Sequence, residues 1–291
     1  MASASYSDGV TGQDQDALER PTPTVLLLWT GAWDSTFRLL TLISEPDCIV
    51  QPYYVIDRSR PSLSIELDTI EKIIQVCRVP GRFPGTVLQP IIANKDDISP
   101  NSEIEERYKS LFSKKVTLAD QYEWLSRYAA EEGLTNLELC ITSNCRISSI
   151  VENYCGESSK NLRNDVPDDV LMFKYFSFPL ARINKNQMKQ ISSDRGFDDI
   201  MNMTWFCQKN SKWPCGSCNS CHAAITGGLA HRIGWRGLLL HATQLIWVEK
   251  AIGKTPEWLR AELRKFGVGT IVLNLRQRCR LWLYRQILRS E

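Results

Sequence analysis

Four cysteines crowd into the stretch TWFCQKNSKWPCGSCNSCHAA, where Cys207, Cys215, Cys218 and Cys221 follow C-x7-C-x2-C-x2-C spacing. A C-x2-C turn directs two thiolates at one centre. Zn²⁺ favours four sulfurs in a tetrahedron, which closes the metal to water and makes it structural rather than hydrolytic. An iron–sulfur cluster uses similar spacings and competes for the same ligands. Gly216 permits the tight turn, Trp205 and Trp213 can shield the sulfurs, and His222 reads as a bystander beside Cys221. A second constellation, LLLWTGAWDSTF, puts Thr30, Gly31, Ala32, Asp34, Ser35 and Thr36 between an apolar run and a helical one. Unpaired N–H groups and the positive end of the helix dipole make such a junction an anion site, suited to phosphate or pyrophosphate. The same residue types are favoured helix caps, so phosphate binding and capping both fit. The spacing matches neither G-x-G-x-x-G nor the Walker form.

The elements around these residues alternate. Val25 to Trp29 is a short continuous apolar run, as a strand buried on both faces requires. Asp34 to Ser44 carries Phe37, Leu40 and Ile43 at helical spacing; Ile49 to Ile56 reads as a strand and Leu63 to Val76 as a helix. Further strands are expected at Val87 to Ile92, Leu137 to Thr142 and Met172 to Phe178, with a helical insertion over about 102–132 and a helix from Lys185 to Arg195. This alternation predicts an α/β fold with a parallel sheet and right-handed crossovers. Residues 1–24 are polar and small and read as a disordered tail; Leu238 to Ala251 and Thr255 to Phe266 read as helices.

The chain has 291 residues, 43% hydrophobic and 23% charged, which suits a globular α/β protein and excludes a fibrous or disordered one. A net charge of +2 selects neither for nor against nucleic acid. Its distribution is uneven: Arg260 to Glu291 holds eight Arg or Lys and two Glu, leaving about −4 on the preceding residues. The longest early apolar stretch is far short of a membrane span, and Asp8, Asp14, Asp16 and Glu19 are the wrong charge for a presequence. A soluble cytoplasmic protein without a membrane partner is the expectation. The remaining cysteines (Cys48, Cys77, Cys140, Cys145, Cys155 and Cys279) are scattered, as in a reducing compartment.

Several motifs together carry a resemblance. TGAWDS is similar to the Ser-Gly-Gly-x-Asp-Ser pyrophosphate loop of N-type ATP pyrophosphatases, with Thr30 and Ala32 in place of the first Ser and second Gly. FSFPLARINKNQMKQI, TWFC and PCGSCNSC are similar to a Pro-Leu-x-x-x-x-Lys helix, Thr-Trp-x-Cys and Cys-Gly-x-Cys-x-x-Cys. From about residue 25 to 235 the chain resembles the 7-cyano-7-deazaguanine synthase (QueC) family. The resemblance implies a Rossmann-like doubly wound parallel sheet of the adenine nucleotide alpha hydrolase type over 25–206 and a zinc-binding segment at 207–235; the basic helical extension expected at 236–291 exceeds the family's usual length. It implies ATP with Mg²⁺ as cosubstrate, a structural Zn²⁺ on the four cysteines, and often a homodimer. The chemistry is adenylation of the carboxylate of 7-carboxy-7-deazaguanine or a related 7-deazapurine, followed by attack of an amine.

Carried over residue by residue, phosphate binding falls to Thr30, Gly31, Ala32, Asp34, Ser35 and Thr36, and Lys185 would neutralise developing phosphate charge. The family's Asp-Tyr-Gly-Gln-Arg-His after the second strand is here Asp57-Arg58-Ser59-Arg60-Pro61-Ser62, keeping only Asp57; its Asp-Cys-Arg is Asn144-Cys145-Arg146. Arg146 could clamp a carboxylate through two N–H donors, and a surface arginine fits the same position. The departures, and the extension beyond Arg236, leave open whether ammonia or an amine on a partner protein attacks, the latter as in bacterial antiviral defence. Two rivals share the sequence: a tRNA-modifying pyrophosphatase gripping RNA with Arg276, Arg278, Arg280, Arg285 and Arg289, and a zinc-stabilised nucleotide-binding module without catalysis.

Overall fold

The computed structural model describes residues 24–114, 118–143, 147–156 and 160–253. Within them the chain is α/β with a parallel sheet. Strands β1 (Thr24–Leu28), β2 (Ile49–Ile56), β3 (Thr86–Val87), β4 (Ile91–Asn94), β5 (Leu137–Glu138) and β6 (Phe176–Ser177) pair in the order β3-β2-β1-β5-β6, with β4 also on β2, every pairing parallel. Helices α1 (Trp33–Ile43), α2 (Leu63–Cys77), α6 (Lys185–Asp194) and α7 (Asp198–Met203) cover one face; α3 (Ser102–Ser113), α4 (Gln121–Glu131) and α5 (Ser148–Tyr154) cover the other. Two more helices follow: the short α8 (Asn219–Ala224) in the cysteine segment and the 20-residue α9 (Gly234–Gly253) after it.

Burial on both faces follows from strand alternation. Leu27 and Tyr54 enter the core under α1 and α2, while Leu28, Tyr53 and Val55 enter the core under α3 and α4. Chain order reverses between β1 and β5, which leaves a crevice above the carboxyl ends of these strands.

The strands differ in extent from the apolar runs that announce them. Val87 to Ile92 is not one strand, because Leu88, Gln89 and Pro90 bulge out opposite Pro52 of β2 and the ladder resumes only at Ile91. Neither proline can donate a ladder hydrogen bond. The run from Leu137 leaves the sheet after Glu138, where the Ile141 N–H turns back onto the Leu139 carbonyl at 2.9 Å. Met172 and Phe173 lie in a 3₁₀ turn (Asp168–Phe173) instead of a strand, yet both are fully buried. Apolarity was needed there for packing and not for pairing.

One ion pair ties α1 to the sheet. Arg38 Nε and NH2 donate to Glu138 Oε2 and Oε1 at 2.7 and 2.6 Å, across 100 residues of sequence. Burial works against the Arg38 charge, but Glu138 more than offsets it and holds the guanidinium above its usual range. Glu138→Ala is therefore expected to destabilise the protein by about 3 kcal/mol in urea titration, because it strands a cation in the core. Glu138→Gln, which keeps one acceptor, should lose clearly less.

Candidate functional site

The loop after β1 turns sharply into the start of α1. Gly31 has φ +67°, and a side chain there would press on Thr69 Cγ2 at 3.2 Å and Ile70 Cγ1 at 3.3 Å, so both backbone angle and space call for glycine. Ala32 occupies the N-cap with extended backbone angles that need no glycine, and no side chain caps the helix. Capping thus does not explain the polar residues here. The Ser35 hydroxyl donates to the Ala32 carbonyl at 3.4 Å, and Asp34 faces outward to Lys185. Thr36 differs from the phosphate-donor expectation: it is fully buried and its hydroxyl accepts the Trp29 indole N–H at 3.0 Å. It holds the strand to the helix.

Lys185 begins α6, which packs beside α1 on the same face of the sheet, and reaches the loop from there. Asn184 and Gln187 form a reciprocal capping box that sets the helix start. The lysine stem then runs along Gly227, where any Cβ would lie 2.6 Å from Lys185 Cδ, and the ammonium meets Asp34 Oδ1 at 2.5 Å. Gly227 is the sequence's provision for that passage, while Gly228, at φ +83°, faces the Asn186 side chain.

Two cavities meet at this point. The larger, about 330 Å³, sits over the ends of β1, β2 and β5, bounded by Tyr53, Val55, Leu139 and Ile141. The smaller, about 170 Å³, is walled by Trp33, Trp205, Phe206, Glu66 and Lys185. Thr30, Ala32, Asp34, Arg60, Gln208 and Ser220 border both. The crevice is open and lined by polar and aromatic groups, with room for ligands on either side of the α1 start. The Trp33 indole N–H is buried without an acceptor among the described residues, an orphan of the kind a bound ligand satisfies.

Asp57 lines neither cavity. Its carboxylate accepts the Ser59 N–H at 3.0 Å and hydroxyl at 2.5 Å, with Lys95 at 3.4 Å. Burial works against its charge; Ser59 and Lys95 outweigh that and hold the carboxyl below its usual range. Asp57 therefore fixes the turn that delivers Arg60 into the crevice, and Arg60 in turn donates to Gln121 Oε1 at 3.3 Å. Glu66, Gln121 and Gln208 carry no motif; only the folded chain brings them together with Arg60 and Ser220. Arg146 lies outside the described residues, as do Thr255 to Phe266 and the arginines from Arg276 to Arg289.

The four cysteines do converge. All are buried, and their sulfurs lie within 4.8 Å of one another. N–H groups of Cys215, Ser217 and Cys221 point at the sulfurs of Cys207, Cys215 and Cys218 at 3.3, 3.4 and 3.4 Å. The crowded sulfurs act on one another: contacts from Cys207 and Cys221 draw the Cys218 thiol down, while contacts from Cys218 and Cys207 push the Cys207 and Cys221 thiols, respectively, up. Donor number, softness and burial fit a tetrahedral thiolate-bound ion. Gly216 has φ +70°, and α9 packs so closely on it that a Cβ would lie 1.8 Å from the Gly237 carbonyl oxygen. His222 meets His241 edge to face, with ring centroids 4.4 Å apart, and is not among the converging ligands.

This centre is a wall of the crevice. The Trp205 N–H donates to the Gly31 carbonyl at 3.1 Å, Gln208 follows Cys207 directly, and Ser220 sits between Cys218 and Cys221. Behind the wall, Arg232 stacks on Trp33 and Phe206 and donates to Thr204 Oγ1 at 2.7 Å; burial pushes its pKa down to about 10, so it keeps its charge. Compared with family models and with curated proteins, the chain matches none. No helix among the described residues is long and apolar enough to cross a membrane.

Proposed function

We propose that this protein is an ATP-dependent carboxylate-activating enzyme, related to 7-cyano-7-deazaguanine synthases, with an adenine nucleotide alpha hydrolase-like sheet and a structural Zn²⁺ on Cys207, Cys215, Cys218 and Cys221. One observation carries the reading: two cavities share the uncapped start of α1, where Lys185 meets Asp34. A nucleotide triphosphate and an acid must meet at one phosphorus, and two chambers opening on one anion-binding corner are the shape that reaction requires. The larger cavity suits the nucleotide; the smaller suits a flat acid between aromatic walls.

In this reading the N–H groups opening α1, with Thr30, hold the triphosphate, and Asp34 is the loop carboxylate that would hold an accompanying Mg²⁺. The acid's carboxylate oxygen bonds to the α-phosphorus while the bridge to the β-phosphate breaks, and pyrophosphate leaves with the electron pair. Lys185 offsets the negative charge growing on the leaving group. An amine then attacks the acyl carbon, loses a proton, and AMP departs. The zinc supplies no step; its thiolates hold Gln208 and Ser220 against the crevice.

The test is to incubate the protein with ATP, Mg²⁺, 7-carboxy-7-deazaguanine and ammonia or candidate acceptor proteins. AMP and pyrophosphate are expected in equal amounts, and mass spectrometry of the product separates a free nitrile or amide from a protein adduct. Tight ATP binding with no AMP under any combination would overturn the catalytic reading.

A further inference from the structure

We propose that Glu66 selects the acid by accepting the paired N–H donors of a guanine-type ring edge in the smaller cavity, an inference that rests on the reading of that cavity as the acid's chamber. Glu66 lies in the first turn of α2, 5% exposed, and borders this cavity but not the larger one. Its carboxylate accepts the Tyr54 hydroxyl at 2.7 Å and the Ser62 hydroxyl at 2.6 Å, one on each oxygen. The nearest cation, Arg60 NH1, is 3.9 Å away, beyond hydrogen-bond reach. Two neutral donors and one ion pair at 3.9 Å leave this buried carboxylate short of full compensation, and each oxygen keeps a further lone pair.

The surroundings define what completes it. Burial and the Glu66 charge raise the Tyr54 phenol, so Tyr54 stays a donor and fixes the carboxylate's orientation. Trp33, Trp205 and Phe206 give flat apolar walls, and the cavity of about 170 Å³ is on the scale of a single ring system. A guanine-type edge presents a ring N–H beside an exocyclic amino N–H, a pair matched to the two oxygens of one carboxylate. An adenine-type edge presents a ring nitrogen lone pair at the same place and is repelled. Glu66 would thereby sort two purine-like rings, admitting the acid and turning away the adenine of ATP.

The experiment compares 7-carboxy-7-deazaguanine with its analogue lacking the exocyclic amino group, on the wild-type protein and on Glu66→Gln, reading both calorimetric binding and pyrophosphate release. The wild type is expected to favour the amino ring about 100-fold, since a site that hydrogen-bonds a donor rejects the ligand lacking it. Glu66→Gln should shrink that preference to about threefold, with ATP binding unchanged. Equal binding of the two rings by the wild type overturns the inference, and needs no substituted protein; so does an undiminished preference in folded Glu66→Gln. Ring preference in binding without pyrophosphate release from any acid leaves the inference standing and removes the adenylation reading. Pyrophosphate release without ring preference does the reverse.

Discussion

Cys221→Ser is expected to lose the bound metal, dropping the metal-to-protein ratio by about tenfold in elemental analysis, and to lower the melting temperature sharply. The reason is local and then global. The four sulfurs sit within 4.8 Å of one another and are buried in the same hydrophobic core as Leu27, Phe37 and Ile73. A serine oxygen is a poor ligand beside three thiolates, and what remains are closely packed thiols whose mutual repulsion on ionisation opposes folding. Binding of a structural zinc contributes about 10–16 kcal/mol in small zinc-dependent folds, so even a fraction of that exceeds typical domain stability. Because Gln208 and Ser220 border the crevice from this segment, ATP binding should weaken in the same variant. A chelator titration of the wild type should reproduce both losses, with recovery on adding Zn²⁺. Unchanged metal content and melting in Cys221→Ser would show that the cysteines are merely packed.

Lys185→Ala is expected to reduce pyrophosphate release by about 10²–10³-fold in kcat/KM, the usual loss when one preorganised charge facing the transition state is removed. Stability should change little, by about 1 kcal/mol at most, because Asp34 retains access to water when the lysine is gone. That split between activity and melting separates a catalytic lysine from a structural salt bridge. Gly227→Ala gives a second route to the same result without touching the charge. Its new methyl would collide with the Lys185 stem, which approaches within 2.6 Å of that position, and so push the ammonium off Asp34. If both variants keep kcat/KM within about twofold of wild type, the corner at Thr30 to Asp34 is not where phosphate chemistry occurs.

The crevice also explains why the sheet's interruptions are useful. β5 stops at Glu138, so Leu139, Cys140, Ile141 and Thr142 leave the ladder and become the floor of the larger cavity. Had the apolar run paired over its full length, it would have closed the space beside β1. The bulge at Leu88 to Pro90 acts farther out: β4 resumes on β2 and ends at Asn94, and Lys95 then reaches Asp57, which holds the turn carrying Arg60. Strand termination and site construction are thus the same event at two places in this fold.

Features encoded over short spans were readable from composition and spacing. The cysteine cluster is one, because three of its thiols lie within seven residues and a turn of that size brings its ends together whatever the rest of the chain does. The β1–α1 loop is another, since Gly31 answers a local backbone angle; Lys185 was reached only through resemblance to a motif. Beyond that range the sequence is silent. Glu66 becomes the buried carboxylate of a cavity, Gln208 and Ser220 become its rim, and Asp57 becomes a brace behind it only once the sheet order has placed β2 beside β1 and the cysteine segment against Gly31. The Arg38–Glu138 pair spans 100 residues and leaves no periodic trace. Hydrophobic periodicity reports which side of an element is dry, but it cannot report which distant element will dry it, and a binding site is made of such meetings.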